Sequence, residues 1–282
     1  MLLQPAAPPP VKFHIAPMQC YTNRHLRDLL GRLCPAAVLW TEMEKTSDLA
    51  TEAARHRRLW HRQTERPVVL QLGGDDPAQL AAAVRHAAPY GYSELNLNCG
   101  CPSVEAGGAD FGAALMRRPD ATRRMLEEMA AAAGGVPVSL KCRVGTHDRP
   151  AGGAAPPMDE YEPLAEFVQS VSRSGAVRRS ALHSTRHSAL YRASHCALLQ
   201  CTLPCTPPCI HSALFVPQCS PQCNPQCTHS AVFPSQVQHV AVHARAAVLT
   251  GLSPVHNRRV PPLRPELVAR LALDFPQAVD HT

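Results

Sequence analysis

Strand-like and helix-like runs alternate through the first part of this chain, and that alternation restricts the fold more than any other feature. Strand-like runs fall at Phe13–Met18, Ala37–Met43, Pro67–Gly73, Glu94–Asn98 and Pro137–Val144. Helix-like runs lie between and after them, at Arg24–Leu33, Pro77–Ala88, Pro119–Ala133 and Asp159–Ser172. The run at Pro77 shows how the pattern is read: Asp76 is a ready N-cap, Pro77 suits the first turn, and Leu80, Val84 and Ala87 recur at helical spacing. Alternating β and α units imply a parallel sheet covered by helices. The polar residues of interest sit at strand C-terminal ends, which favours a TIM-type (β/α)8 barrel over a doubly wound sheet. A further strand at Val240–Arg245 and a helix at Pro265–Phe275 bring the count to six βα units. A barrel needs eight, so an incomplete barrel is expected, with the chain stopping at Asp280-His281-Thr282 before strand seven.

Four divisions follow. Residues 1–12 read as a disordered tail, 13–176 as the first part of the barrel, and 239–282 as its continuation. Residues 177–238 contain no Asp, Glu, Lys or Gly, and repeat His-Ser-Ala-Leu/Val and Pro-Gln-Cys units. Prolines at that spacing oppose helix and central strand, so this insert is expected to lack a packed core. Seven of the chain's 12 cysteines lie in it, from Cys196 to Cys227. Some sit at Cys-x3-Cys spacing, which zinc would accept, but they recur with the repeat and not as two defined pairs. The expectation is low-complexity sequence with no metal site. The remaining five cysteines suit a reduced intracellular protein.

The formal net charge of +6 permits a polyanionic partner without requiring one. No run of about 18 apolar residues is present, so no membrane span is expected. The first ten residues lack the features of a secretory or transit signal, leaving a soluble interior compartment as the expectation.

The chemistry concentrates at Glu94-Leu95-Asn96-Leu97-Asn98-Cys99-Gly100-Cys101-Pro102-Ser103. Leu95 and Leu97 alternate as in a buried strand, and Gly100 and Pro102 stop it. Asn98 and Cys101 are thereby left at the strand's C-terminal end. A thiol with an ordinary pKa of about 8.5 is mostly protonated near neutrality and can serve as an acid. Taken alone, Cys-Pro after a strand is more often a packed cysteine. Lys141, in an otherwise apolar strand, would need a partner for its ammonium, or would snorkel to the surface.

Further segments stand in order around this turn. They are Ala16-Pro17-Met18, Thr22-Asn23-Arg24-His25, Trp40-Thr41-Glu42-Met43, Leu70-Gln71-Leu72-Gly73-Gly74 and Leu140-Lys141-Cys142-Arg143-Val144-Gly145, then His243-Ala244-Arg245, Gly251-Leu252-Ser253-Pro254 and Asn257-Arg258. Together they resemble the tRNA-dihydrouridine synthase family, most closely its A-type subfamily, over about residues 12–175 and 240–277. The resemblance implies an FMN-dependent oxidoreductase that reduces specific tRNA uridines to dihydrouridine with NADPH, working as a monomer. It implies Cys101 as the acid. It further implies Pro17, Met18, Gln19, Gln71, Lys141 and His243 as FMN contacts, and Asn98, Arg245 and Arg258 as tRNA contacts. Val255 stands where the A-type signature usually has a basic residue. The family's phosphate-binding Asn-Gly-Gly and Gly-Arg motifs and its helical tRNA-gripping domain are not found in this chain. A truncated or wrongly joined form with impaired FMN binding and activity is therefore expected. The alternatives are an inactive barrel remnant or another FMN barrel such as a dihydroorotate dehydrogenase, although the latter would not carry the Asn-x-Gly-Cys-Pro turn with Gly-Leu-Ser-Pro.

Overall fold

In the computed structural model, residues 13–62, 65, 67–102, 111–148, 161–172, 237–249, 252–253, 255–276 and 278–281 are described. All of them belong to one compact unit. The expected tail and insert lie outside these residues, except for Val237 and Gln238.

Seven parallel strands make the main sheet, in sequential spatial order. They are β1 (His14–Ile15), β2 (Val38–Lys45), β3 (Val68–Gly73), β4 (Glu94–Cys99), β5 (Val138–Arg143), β7 (Val237–His243) and β9 (Val279–His281). Two short strands, β6 (Thr146–His147) and β8 (Ala247–Val248), pair with each other beyond the ends of β5 and β7. Sequential order in a parallel sheet requires each connection to cross over, and helices make those crossings. They are α1 (Arg24–Leu33), α2 (Glu52–Leu59), α3 (Pro77–Ala87), α4 (Pro119–Ala132), α5 (Tyr161–Ser172) and α6 (Pro265–Asp274). This is the α/β, TIM-type arrangement that the alternation predicts.

Two boundaries differ from expectation. The sixth strand of the main sheet, β7, begins at Val237, inside the expected insert, because Val237 pairs with Val138. A seventh strand is present: Val240, Ala241 and Val242 pair with Val279, Asp280 and His281. Among the described residues the outermost strands of the sheet are therefore β1 and β9.

Strand alternation divides the sheet into two faces. Val68, Leu70 and Leu72 of β3, Leu95, Leu97 and Cys99 of β4, Val138, Leu140 and Cys142 of β5, and Val240 and Val242 of β7 join one core cluster. The helices complete that cluster with Leu80 and Val84 of α3, Leu126 and Met129 of α4, Phe167 and Val168 of α5, and Leu271 of α6. Each fully buried side chain of this size contributes about 1.5–3 kcal/mol. Burial also pushes the Cys99 thiol well up and the Cys142 thiol up to about 12, so both stay protonated inside the core. The alternate positions face the other way, and apart from Val38, Trp40 and Val69 they are largely polar.

Local signals set the helix starts. The Asn23 side chain accepts from the His25 and Leu26 amides at 3.0 and 3.2 Å, capping α1. Asp76 accepts from the Gln79 amide at 2.9 Å and caps α3.

Candidate active site

The polar face of β3, β4 and β5 carries one continuous hydrogen-bond chain. Asn98 Oδ1 accepts from the Gly100 and Cys101 amides at 3.1 and 3.0 Å. Asn98 Nδ2 donates to Gln71 Oε1 at 2.7 Å, and Gln71 Nε2 donates to Asn96 Oδ1 at 2.9 Å. Asn96 Nδ2 then donates to Ser139 Oγ at 2.7 Å, and the Ser139 hydroxyl donates to Glu94. Glu94 also faces the His239 ring at 3.5 Å.

The direction of this chain is forced from both ends. Two amide donors at the turn demand an oxygen, so Asn98 must turn its carbonyl toward them, and every later amide follows head to tail. At the far end a carboxylate takes the last proton without offering one. Each side-chain amide nitrogen has two N–H groups and uses one here, so Asn98 and Gln71 each keep a spare donor. Below the first link, Thr41 Oγ1 accepts from the Gln71 amide at 3.0 Å, fixing β3 against β2.

The next strands add positive charge. Asn98 is in register with Lys141, and Arg143 is in register with His243. Lys141 makes no hydrogen bond or ion pair among the described residues; burial, helped by Arg143, brings its ammonium down to about 8. His243 is held down to about 3 by burial first, then by Arg143, Lys141 and Arg245, so its ring is neutral near pH 7. Burial likewise lowers Arg143 to about 10, with Arg245 and Arg258 adding to the effect and the Cys101 thiol opposing it. Arg143 Nε donates to the Gly100 carbonyl at 2.9 Å, while its Nη1 is buried without a partner among the described residues.

Five of the expected site residues thus come together: Gln71, Asn98, Cys101, Lys141 and His243 lie at the C-terminal ends of four adjacent strands. Pro17, Met18 and Gln19 occupy the loop after β1 at the same end. That loop is anchored where the Cys20 amide donates to Glu42 at 2.6 Å, with Cys20 at φ 66°. Met18 is tied internally, its carbonyl accepting from the Thr22 amide at 3.0 Å. Arg245 gives its Nη1 to the Arg259 and Pro261 carbonyls, leaving Nε buried without a partner among the described residues. Arg258 closes a short 3-10 turn, His256–Arg258, beside the exposed Val255. Asn257 fastens this turn to β8, accepting from the Val248 amide at 2.7 Å and donating to its carbonyl at 3.0 Å.

Sequence reasoning missed Arg143, Asn96, Ser139 and Glu94 as parts of the site. Their signal was the alternation itself. With Leu140, Cys142 and Val144 facing the helices, Ser139 and Arg143 must share the face of Lys141. No cluster of His, Cys, Asp or Glu able to hold a metal occurs among the described residues.

The dihydrouridine synthase family model matches residues 14–195. The chain belongs to the dihydrouridine synthase family. Among its relatives is a tRNA-dihydrouridine(20/20a) synthase of Xylella fastidiosa, 34% identical over 266 residues, covering 94% of this chain and 57% of the relative. A protein of the same name from Synechocystis sp. is 34% identical over 263 residues, covering 93% of this chain and 57% of the relative. The chain thus spans less than two thirds of the length of these members of the dihydrouridine synthase family. No helix among the described residues is long and apolar enough to cross a membrane.

Proposed function

We propose that this protein acts as a tRNA-dihydrouridine synthase, reducing uridines of tRNA with FMN as cofactor and NADPH as reductant. One observation carries the reading. A donor-lined, cation-rich mouth of a parallel sheet holds a half-buried thiol, Cys101, beside the amide of Asn98. The relatives' names support the part of the reading that concerns tRNA dihydrouridine.

The residues present fit a flavin. Among the described residues, Arg143 Nη1 is buried without a partner, Lys141 lacks a counter-ion, and Gln71 keeps a spare N–H. A planar group with carbonyl oxygens and an electron-rich ring edge answers all three. Gln71, Lys141 and His243 would hold it, with Pro17, Met18 and Gln19 along its border. Bound FMN would supply the hydride for C6 of a uracil ring.

The chain's own residues do the rest. Lys141 offers positive charge at low desolvation cost because burial has already weakened its hold on the proton. His243, neutral at working pH, adds a ring nitrogen to the mouth without adding repulsion between cations. Asn98 has its carbonyl committed to the turn and presents an N–H to a base carbonyl. Cys101 holds a proton on Sγ and delivers it to C5 of the base. A base in stacked RNA must leave its stack to reach such a mouth. Arg245 and Arg258 would add positive charge toward RNA phosphates.

The test is Cys101→Ala. Reduction of bound flavin by NADPH should persist, while dihydrouridine formation in tRNA falls by about 100-fold or more, the usual worth of a positioned acid. Unchanged tRNA turnover, or loss of flavin reduction as well, refutes the assignment.

A further inference from the structure

The turn carrying Cys101 is gripped from three directions, and one of them leaves no room for a side chain. Asn98 Oδ1 holds the Gly100 and Cys101 amides, and Arg143 Nε holds the Gly100 carbonyl at 2.9 Å. The third hold comes from the short 3-10 helix Gly112–Arg117, whose Ala113 amide donates to the Cys101 carbonyl at 2.9 Å. For that helix to approach so closely, its first residue must lack a Cβ. A Cβ on Gly112 would stand 2.5 Å from the Cys101 carbonyl oxygen and 3.3 Å from the Cys101 Cβ. The nearest of these atoms is backbone, so no rotamer change can relieve the clash. Gly112 also has φ 69°, which glycine adopts without steric cost.

We infer that Gly112 is a positioning residue for Cys101. Its missing side chain lets the 3-10 helix close on the Cys101 carbonyl, and that contact fixes where the thiol stands relative to Asn98 and Arg143. The placement is independent of what the thiol protonates; its value for catalysis rests on the function proposed above. Two other glycines separate this role from ordinary backbone need. Gly134 and Gly135 also have positive φ, 59° and 92°, yet a Cβ at either would meet nothing within 4 Å. Strain without contact is available for comparison at Gly134.

The experiment measures alkylation of Cys101 by a maleimide in the folded full-length chain, read peptide by peptide. Cys34, partly exposed after α1, serves as an internal reference. Gly112→Ala should change the Cys101 to Cys34 rate ratio by threefold or more, while Gly134→Ala leaves it within that limit. A smaller change in a folded Gly112→Ala protein overturns the inference. A second measurement uses the unsubstituted chain and so does not depend on the variant folding. The Ala113 and Cys101 amides should both be protected from hydrogen exchange for minutes, and exchange of either within seconds also overturns it. Dihydrouridine formation is assayed in parallel with Cys101→Ala. If alkylation shifts as expected but Cys101→Ala retains activity, the positioning stands and the catalytic reading fails.

Discussion

Replacing Gln71 by leucine tests the hydrogen-bond chain directly. The two side chains have similar volume, and Gln71 is only 1% exposed, so leucine fits and is the more apolar residue. Burying it in place of an amide favours the variant by about 1–2 kcal/mol. Against this, two buried groups lose their partners: Asn98 Nδ2, which donated to Gln71 Oε1, and Asn96 Oδ1, which accepted from Gln71 Nε2. Each costs about 1–3 kcal/mol when stranded. The net expectation is destabilisation by about 3 kcal/mol, a large share of the 5–15 kcal/mol typical of a domain. Urea denaturation of the full chain, followed by circular dichroism, measures it. A loss under about 1 kcal/mol would show that the amides re-pair or admit water, and the head-to-tail chain would not be the constraint described here.

Lys141→Met should be more stable than the parent at pH 7 by about 2 kcal/mol, since a lysine lowered to about 8 carries an unfavourable charge below that pH. The advantage should shrink as pH rises from about 8 toward 10.5, the range where the unfolded lysine keeps its proton and the folded one does not; a pH-independent difference would refute the cause. His243, held down to about 3, should show imidazole NMR shifts that do not titrate between pH 5 and 8, and its contribution to stability should fall as pH drops from about 6.5 toward 3. Arg27→Met should cost about 3–5 kcal/mol by denaturation, because Glu65, fully buried and 2.7 Å away, would lose its counter-charge. Adding Glu65→Leu to that variant should recover much of the loss.

The alternation of strands and helices was legible because each element buries one face and therefore repeats apolar residues at its own period. Gln71, Asn98, Lys141 and His243 could be placed together because each ends a strand. The elements that escaped notice lacked that periodic signal. The helix Glu52–Leu59 buries only Leu59 and is otherwise charged, histidine or alanine, so its apolar face is a single residue. Its ends did carry a signal, with Thr51 capping and Glu52 in the first turn, then His56, Arg57 and Arg58 in the last. The pair Thr146–His147 and Ala247–Val248 is two residues long on each side, too short for any alternation. The seventh strand, Val279–His281, is three residues and is defined by its pairing with β7, not by its composition. Arg143 was overlooked because a charged residue at a strand end is unremarkable until its neighbours' faces are known.

The head-to-tail chain also limits how this site can change over evolutionary time. Asn98, Gln71, Asn96, Ser139 and Glu94 each satisfy the next, so any one of them replaced by an apolar residue leaves its neighbours stranded. Replacing all five together with apolar side chains would strand none of these side chains, leaving only the groups at the two ends, the Gly100 and Cys101 amides and the His239 ring, to find other partners. Single-step drift is therefore penalised more, link for link, than wholesale exchange. The outer face differs, since Leu72 or Val240 can shrink or grow by a methyl group at a cost of about 1 kcal/mol, without consequence for the polar chain. The sheet thus holds two records of descent: an apolar side that can be rewritten residue by residue, and a polar side inherited as a block.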